Sequence, residues 1–195
     1  MKLLFGTRNP GKLKEAQALL KGLDLELLSP DDFSQLDGFD VDETGATLEE
    51  NALLKATTFA KKTGVISCSD DSGLEVVALD GRPGVHSKRF ISGSDEDRNN
   101  GLLQLLELKN DRTAQFRTVL CLFDPKSEFQ QLFEGKVTGT IADQPRGSQG
   151  FGYDPVFIPD GYEQTFAELG IEEKNKLSHR AKAFAALKEY LSSQR

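Results

Sequence analysis

Apolar positions along this chain alternate between two rhythms, and the switches mark its elements. Lys2 to Gly6 and Leu25 to Leu28 are short apolar runs that predict strands, the second ended by Ser29-Pro30. Between them Leu13, Ala16, Leu19 and Leu20 fall at helical spacing, which predicts a helix over 13–21 with Gly22 as its stop. Thr47-Leu48-Glu49-Glu50 has the form of a capping box. It opens a helix that ends near Thr63-Gly64 and buries Leu48, Ala52, Ala56, Phe59 and Ala60. A strand over Val65–Gly73 and another over Leu74–Leu79 follow, the latter turning at Asp80-Gly81. Ser94 is placed to cap a helix over Asp95–Leu108, with Leu102, Leu105 and Leu106 as its core positions. Phe116–Phe123 and Phe129–Ile141 predict a long antiparallel pair turning at Asp124-Pro125-Lys126-Ser127, and Ser178 caps a last helix.

The stretch Val65-Ile66-Ser67-Cys68-Ser69-Asp70-Asp71-Ser72-Gly73 carries the most chemistry. It reads as a buried strand delivering acids to its tip. Adjacent strand residues point to opposite faces, so only one of Asp70 and Asp71 reaches into a cleft unless Ser72-Gly73 bends the backbone. A carboxylate there can hold a hard cation or take a proton from water. An ordinary Asx-type turn between two strands is the alternative.

Further candidates come from loops and helix starts. Thr7-Arg8-Asn9-Pro10-Gly11-Lys12 joins the first strand to the first helix, a shape whose amides and helix terminus face an anion. Lys12 and Lys14 lie at the positive end of that helix, and His179, Arg180 and Lys182 at that of the last one. Cations are disfavoured there, and an anionic ligand removes both conflicts. Gly6 to Lys12 matches most of a Walker A loop, but Leu13 stands where a Ser or Thr must ligate magnesium. Asn51 and Lys55 share a helix face apart from the apolar stripe, where Lys55 also fits a surface ion pair. The basic stretch Arg82–Arg89 fits a surface loop or the rim of an anionic site. The loop Pro145–Pro155, with Gly147, Gly150 and Gly152, either lets a planar ring lie against Phe151 or Tyr153 or sends those aromatics into the core.

Composition narrows the partners. The chain has 195 residues, 37% of them hydrophobic and 28% charged, which suits a folded protein with room for two lobes. A formal charge of −7 argues against a general binder of nucleic-acid polymers or anionic membranes, so any phosphate must meet a local cluster of cations. The acidic run from Asp31 to Glu43 reads mostly as a solvated face. No run approaches membrane-spanning length, and Cys68 and Cys121 read as buried free thiols, which together point to the cytoplasm. No repeat or linker breaks the chain into separate domains.

Taken together, Thr7–Lys12, Glu43-Thr44-Gly45, Glu50-Asn51-Ala52 with Lys55, Asp70-Asp71-Ser72-Gly73-Leu74, Gly150–Pro155 and Ser178-His179-Arg180 resemble the inosine triphosphate pyrophosphatase family, in order and over nearly the whole chain. Arg8 departs from the family pattern, where Gly is usual, and so does Asp42, where Glu is frequent. The resemblance implies a single two-lobed domain over 1–195 of the α/β class, with an elongated mixed β-sheet and flanking helices around a central cleft, and a homodimer. It implies magnesium-dependent hydrolysis of ITP, dITP and XTP to monophosphate and pyrophosphate, sanitising the nucleotide pool. It implies that Thr7, Arg8, Asn9, Pro10, Gly11 and Lys12 cradle the triphosphate, Asp71 is the general base and Lys55 assists. Asp71 or its neighbours, with Asp42 or Glu43, would hold the metal, and Ser72 would lie against the substrate. Phe151, Gly152, Tyr153, Asp154, Lys174, His179 and Arg180 would grip base and ribose. The rivals are a P-loop-like NTPase or kinase, and a nucleotide-binding module that does not hydrolyse.

Overall fold

The computed structural model describes residues 1–193. Its strands are β1 (Lys2–Phe5), β2 (Glu26–Leu28), β3 (Ser67–Val76), β4 (Pro83–Gly84), β5 (Thr113–Phe123), β6 (Gln130–Ile141) and β7 (Phe157–Pro159). Its helices are α1 (Pro10–Leu19), α2 (Leu48–Thr63), α3 (Asp95–Leu105), α4 (Phe166–Leu177) and α5 (His179–Ser193). The sheet runs β2-β1-β3-β5-β6-β7, with β4 added to β3. It is mixed: β1 is parallel to β2 and β3, whereas β4 and β7 pair antiparallel with β3 and β6. No described helix is long and apolar enough to cross a membrane.

The chain divides into two compact units. The first comprises Met1–Asp71, Thr118–Gly135 and the part beginning at Lys182; the second comprises Ser72–Arg117 and Lys136–Ala181.

In the first unit, strand alternation sends β1 side chains into two cores. Leu3 and Phe5 pack with Ala16, Leu120, Leu122 and Phe184, while Leu4 packs with Leu36 and Phe59. Both faces are covered, which is why β1 reads as an unbroken apolar run. α2 forms because Thr47 Oγ1 accepts the Glu50 amide, acids stand in its first turn and lysines in its last, and Gly64 ends it at φ 72°. The other half of the expected capping box is displaced: the Glu50 carboxylate takes the amide of Ala46, one residue before the cap.

The second unit gathers Leu74, Val76, Leu102, Leu106, Phe116, Val137, Phe157 and Phe166 into one core. Leu106 is buried there, but Leu105 is 47% exposed, because the helix ends at it and turns it outward. Cys68 and Cys121 are buried free thiols, as expected. Burial pushes both up, Cys121 to about 12, so they stay protonated and inert at neutral pH.

Two boundaries correct the sequence reading. α1 begins at Pro10 rather than Leu13, since the Asn9 side chain accepts the amides of Gly11 and Lys12 and Pro10 presets the first helical φ. Two predicted strands are one: β3 continues through Asp70-Asp71-Ser72-Gly73 to Val76. Ser72-Gly73 is no turn. A Cβ on Gly73 would stand 2.4 Å from the Gly84 carbonyl oxygen, so this glycine admits the close approach of β4.

Candidate active site

The acids at the centre of β3 sit mid-strand, not at a tip, and alternation separates them. Both are buried, Asp70 1% and Asp71 5% exposed. Asp70 pairs with Lys12 at 3.0 Å, so α1 does not leave that lysine awkwardly at its positive end. Lys14, by contrast, is exposed. Asp71 faces α2, where Asn51 Nδ2 donates to Asp71 Oδ2 at 3.0 Å and Lys55 Nζ lies 3.8 Å from Asp71 Oδ1.

Lys55 is not a surface lysine. It belongs with Asn51 to the buried stripe of α2 and donates to Glu43 Oε1 at 2.5 Å. Its ammonium therefore stands between two carboxylates. Burial alone would lower its pKa, but Asp71, Asp70 and Glu43 together raise it, which keeps it charged. Burial lifts the Asp71 pKa above the ordinary carboxylate range, and Lys55 and Lys12 pull it only part of the way back. A buried carboxylate with a raised pKa and fixed neighbours has the properties of a general base. Asn51 also accepts the Gly45 amide at 2.8 Å, which ties the Glu43-Thr44-Gly45 segment to Asp71.

The phosphate-loop candidates lie in the same unit. Gly6 is needed where it is, because a Cβ there would meet Ser69 Oγ at 2.3 Å and the Phe59 ring at 2.5 Å. Thr7 Oγ1 accepts the Asn9 amide at 3.2 Å, while Pro10 is exposed and Gly11 half-buried. Arg8 is committed elsewhere: it donates to Asp31 at 2.5 Å, to the Phe39 carbonyl at 2.9 Å and to the Leu36 carbonyl. Asp42 is exposed, so of the two acids predicted beside Asp71 only Glu43 joins this cluster.

The remaining candidates meet in the second unit. Asp154 and Lys174 form a buried ion pair at 2.6 Å, and Asp154 also accepts the Phe151 amide at 2.9 Å. Gly150 has φ 82°, and a Cβ there would come within 2.1 Å of Asp154 Oδ2, so glycine is obligatory. Lys174 precedes the last helix, α5, in the chain. It lies within α4, a helix the apolar spacing did not reveal because Gly170 interrupts it at φ 80°. The capping box Thr165–Glu168 was the available signal. Ser178 does cap α5, accepting the Ala181 amide at 3.1 Å.

The two aromatics of the glycine loop part company. Tyr153 is buried in the core, its hydroxyl donates to the Ser87 carbonyl at 3.1 Å, and burial pushes its pKa to about 12. The Phe151 ring is half-buried and carries Lys174 at 4.7 Å and Arg180 at 5.5 Å from its centroid. Arg180 Nη2 reaches Ser72 Oγ at 3.3 Å, and the buried His179 ring stacks on Phe116 at 4.6 Å. Asn51, Asp95 and Asn99 are candidates to which sequence reasoning gave no role in the site.

No group of three or more His, Cys, Asp or Glu stands ready for a metal among the described residues. Magnesium does not need one, since it binds through one or two carboxylates with waters and phosphate oxygens. Glu43 and Asp71 fit that role: both already address one cation, the Lys55 ammonium.

Fold and clusters define an α/β protein with a buried lysine–carboxylate centre and an aromatic–cation cluster on a glycine loop. The Ham1 family model matches residues 3–190. A dITP/XTP pyrophosphatase of Porphyromonas gingivalis is 46% identical, over 97% of both chains. A HAM1 protein structure from Coxiella burnetii has a TM-score of 0.90 at 37% identity, covering 99% of each chain. The Ham1 protein of Staphylococcus aureus gives 0.89 at 36%, with full coverage of both. The chain belongs to the Ham1 family.

Proposed function

We propose that this protein hydrolyses dITP, ITP and XTP to the monophosphate and pyrophosphate, keeping non-canonical purines out of the nucleotide pool. The single observation that carries the chemistry is Asp71, buried, raised in pKa and held by Asn51 and Lys55. The substrate class is supported by the printed activity of relatives such as the P. gingivalis dITP/XTP pyrophosphatase, similar along the whole chain.

In this reading the charged groups around Asp71 handle the triphosphate and those around Phe151 the base. Asp71 accepts a proton from water as its oxygen attacks the α-phosphorus; the bond to the β-phosphate oxygen breaks and pyrophosphate leaves. Lys12 and Lys55 offset the charge on the departing group. Asp71 and Glu43 would hold a magnesium ion, which would supply further neutralisation of phosphate charge when bound. Thr7, Asn9 and Gly11 line the phosphate end, where Asn9 also caps α1.

The purine lies on the Phe151 face, with Lys174 and Arg180 around its edge. Donors from His179 or Arg180 aimed at the 6-oxo group meet an acceptor in inosine and xanthine but an amino group in adenine. A donor left unpaired discriminates far better than pocket size. The family resemblance further supports a homodimer in the cytoplasm. A panel of purine triphosphates with magnesium, with products identified, tests the proposal. Monophosphate plus pyrophosphate, with ITP and XTP preferred to ATP, is expected; orthophosphate as product, or equal efficiency on ATP and ITP, overturns it.

A further inference from the structure

Gly152 is gripped by a helix that the proposed chemistry does not use. Its amide donates to Asp95 Oδ2 at 2.7 Å, and its carbonyl accepts from Asn99 Nδ2 at 3.0 Å. Asp95 and Asn99 are four residues apart and so share one face of α3. The two bonds hold the peptide groups on both sides of the Gly152 Cα, fixing a backbone with φ 64° directly after Phe151. From the other side, Asp154 holds the Phe151 amide.

Neither residue is needed to cap its helix. Ser94 accepts the Asp97 amide, and Asp97 accepts that of Ser94. Asn99 is 3% exposed, and its Oδ1 has no hydrogen-bond partner among the described residues. A buried amide with an unmet oxygen is a net cost unless its other atom does something useful. Here that atom holds the Gly152 carbonyl.

We infer that Asp95 and Asn99 are positioning residues for purine selectivity: Asp95 holds the Phe151–Gly152 peptide and Asn99 the Gly152–Tyr153 peptide, so that the Phe151 ring is presented in one orientation to the base. Gly152, with both backbone groups engaged, serves as the gripped point of the loop and not as a base contact. This rests on the functional reading above.

The test exchanges acid and amide at the two positions in the full chain. Asp95→Asn keeps an acceptor for the Gly152 amide, whereas Asn99→Asp removes the donor and sets a carboxylate against a carbonyl. Asn99→Ala removes the donor without adding charge, in case Asn99→Asp does not fold. For Asn99→Asp or Asn99→Ala the KM for ITP is expected to rise about tenfold, and the preference for ITP over ATP to fall about as much, with kcat little changed. Asp95→Ala removes the acceptor of the Gly152 amide and is expected to raise the KM for ITP and lower the preference over ATP as the Asn99 variants do. Asp95→Asn falls between Asp95→Ala and wild type, because it keeps the bond but loses the charge paired with Arg98. Amide hydrogen exchange at Gly152 accelerates in both Asn99 variants while that of Asp97 does not. Unchanged KM, selectivity and Gly152 exchange in the Asn99 variants overturn the inference, as does a fall in kcat alone that tracks lost folded protein. A wild-type chain that releases no pyrophosphate from any purine triphosphate overturns the functional reading, and the selectivity role with it.

Discussion

The two clusters are held together by different forces. Around Asp71 the partners are charged side chains, Lys12, Lys55, Glu43 and Asp70, with one amide from Asn51. Around Phe151 one buried ion pair, Asp154 with Lys174, stands beside a set of holds on backbone: Asp154 on the Phe151 amide, Asp95 and Asn99 on Gly152, and Tyr153 on the Ser87 carbonyl. Charge pairs can exchange partners when a triphosphate and a metal arrive, because lysines have long flexible stems and non-directional charge. Backbone bonds cannot be exchanged without moving the loop. The first cluster is suited to chemistry in which charge shifts, the second to recognition of a rigid plane.

The sharpest way to break this contrast is at its charged end. Asp71→Asn keeps the shape and the bond-accepting oxygen but cannot take a proton. We expect kcat for ITP to fall about 10²–10⁴-fold with ITP still bound, measured by pyrophosphate release and by equilibrium titration. A variant retaining most of its kcat removes Asp71 as base. The wild-type pH profile carries the same information. The base is lost when Asp71 is protonated, and its pKa is raised by burial, so the acid limb of kcat/KM falls at a higher pH than an ordinary exposed carboxylate would give. An acid limb at the ordinary position contradicts the assignment.

The recognition cluster fails differently. Lys174→Met leaves the Asp154 carboxylate buried without its ion-pair partner, both side chains being 3% exposed. A loss of about 3–5 kcal/mol in urea unfolding is expected, a stability effect before a kinetic one. Lys12→Ala should instead raise the KM for triphosphates while costing less stability, because the Lys12 side chain is 16% exposed where that of Lys174 is 3%. If the two variants show the reverse ranking in unfolding, the contrast between a charge-held and a packed cluster does not stand.

What could be read from sequence followed the same division. α2 was legible to its ends, since Thr47 and Gly64 are local signals, and Asp71 stood out because acids are rare in apolar strands. The strand break at Ser72-Gly73 was misread, because a glycine admitting a neighbouring strand and a glycine making a turn look alike until the register with β4 is known. Lys55 could be read equally as a surface ion pair, because both its carboxylate partners come from outside its own helix. Asp95 and Asn99 stayed invisible for the same reason: their common partner lies 53 residues from Asn99.

Arg8 offers the smallest and most local test. Its place in the Thr7–Lys12 loop suggested a substrate contact although Arg8 departs from the family pattern, yet its guanidinium spends donors on Asp31, on Phe39 and on Leu36, all in the segment after β2. Lysine keeps the charge but cannot reproduce a planar fork serving several acceptors. Arg8→Lys should therefore cost about 1–2 kcal/mol in urea unfolding, the worth of two exchanged carbonyl bonds. Its KM for ITP should rise by a smaller factor than that of Lys12→Ala. A KM effect equal to that of Lys12→Ala, with no loss of stability, would return Arg8 to the phosphate cradle and blur the line between residues that hold the loop and residues that hold the ligand.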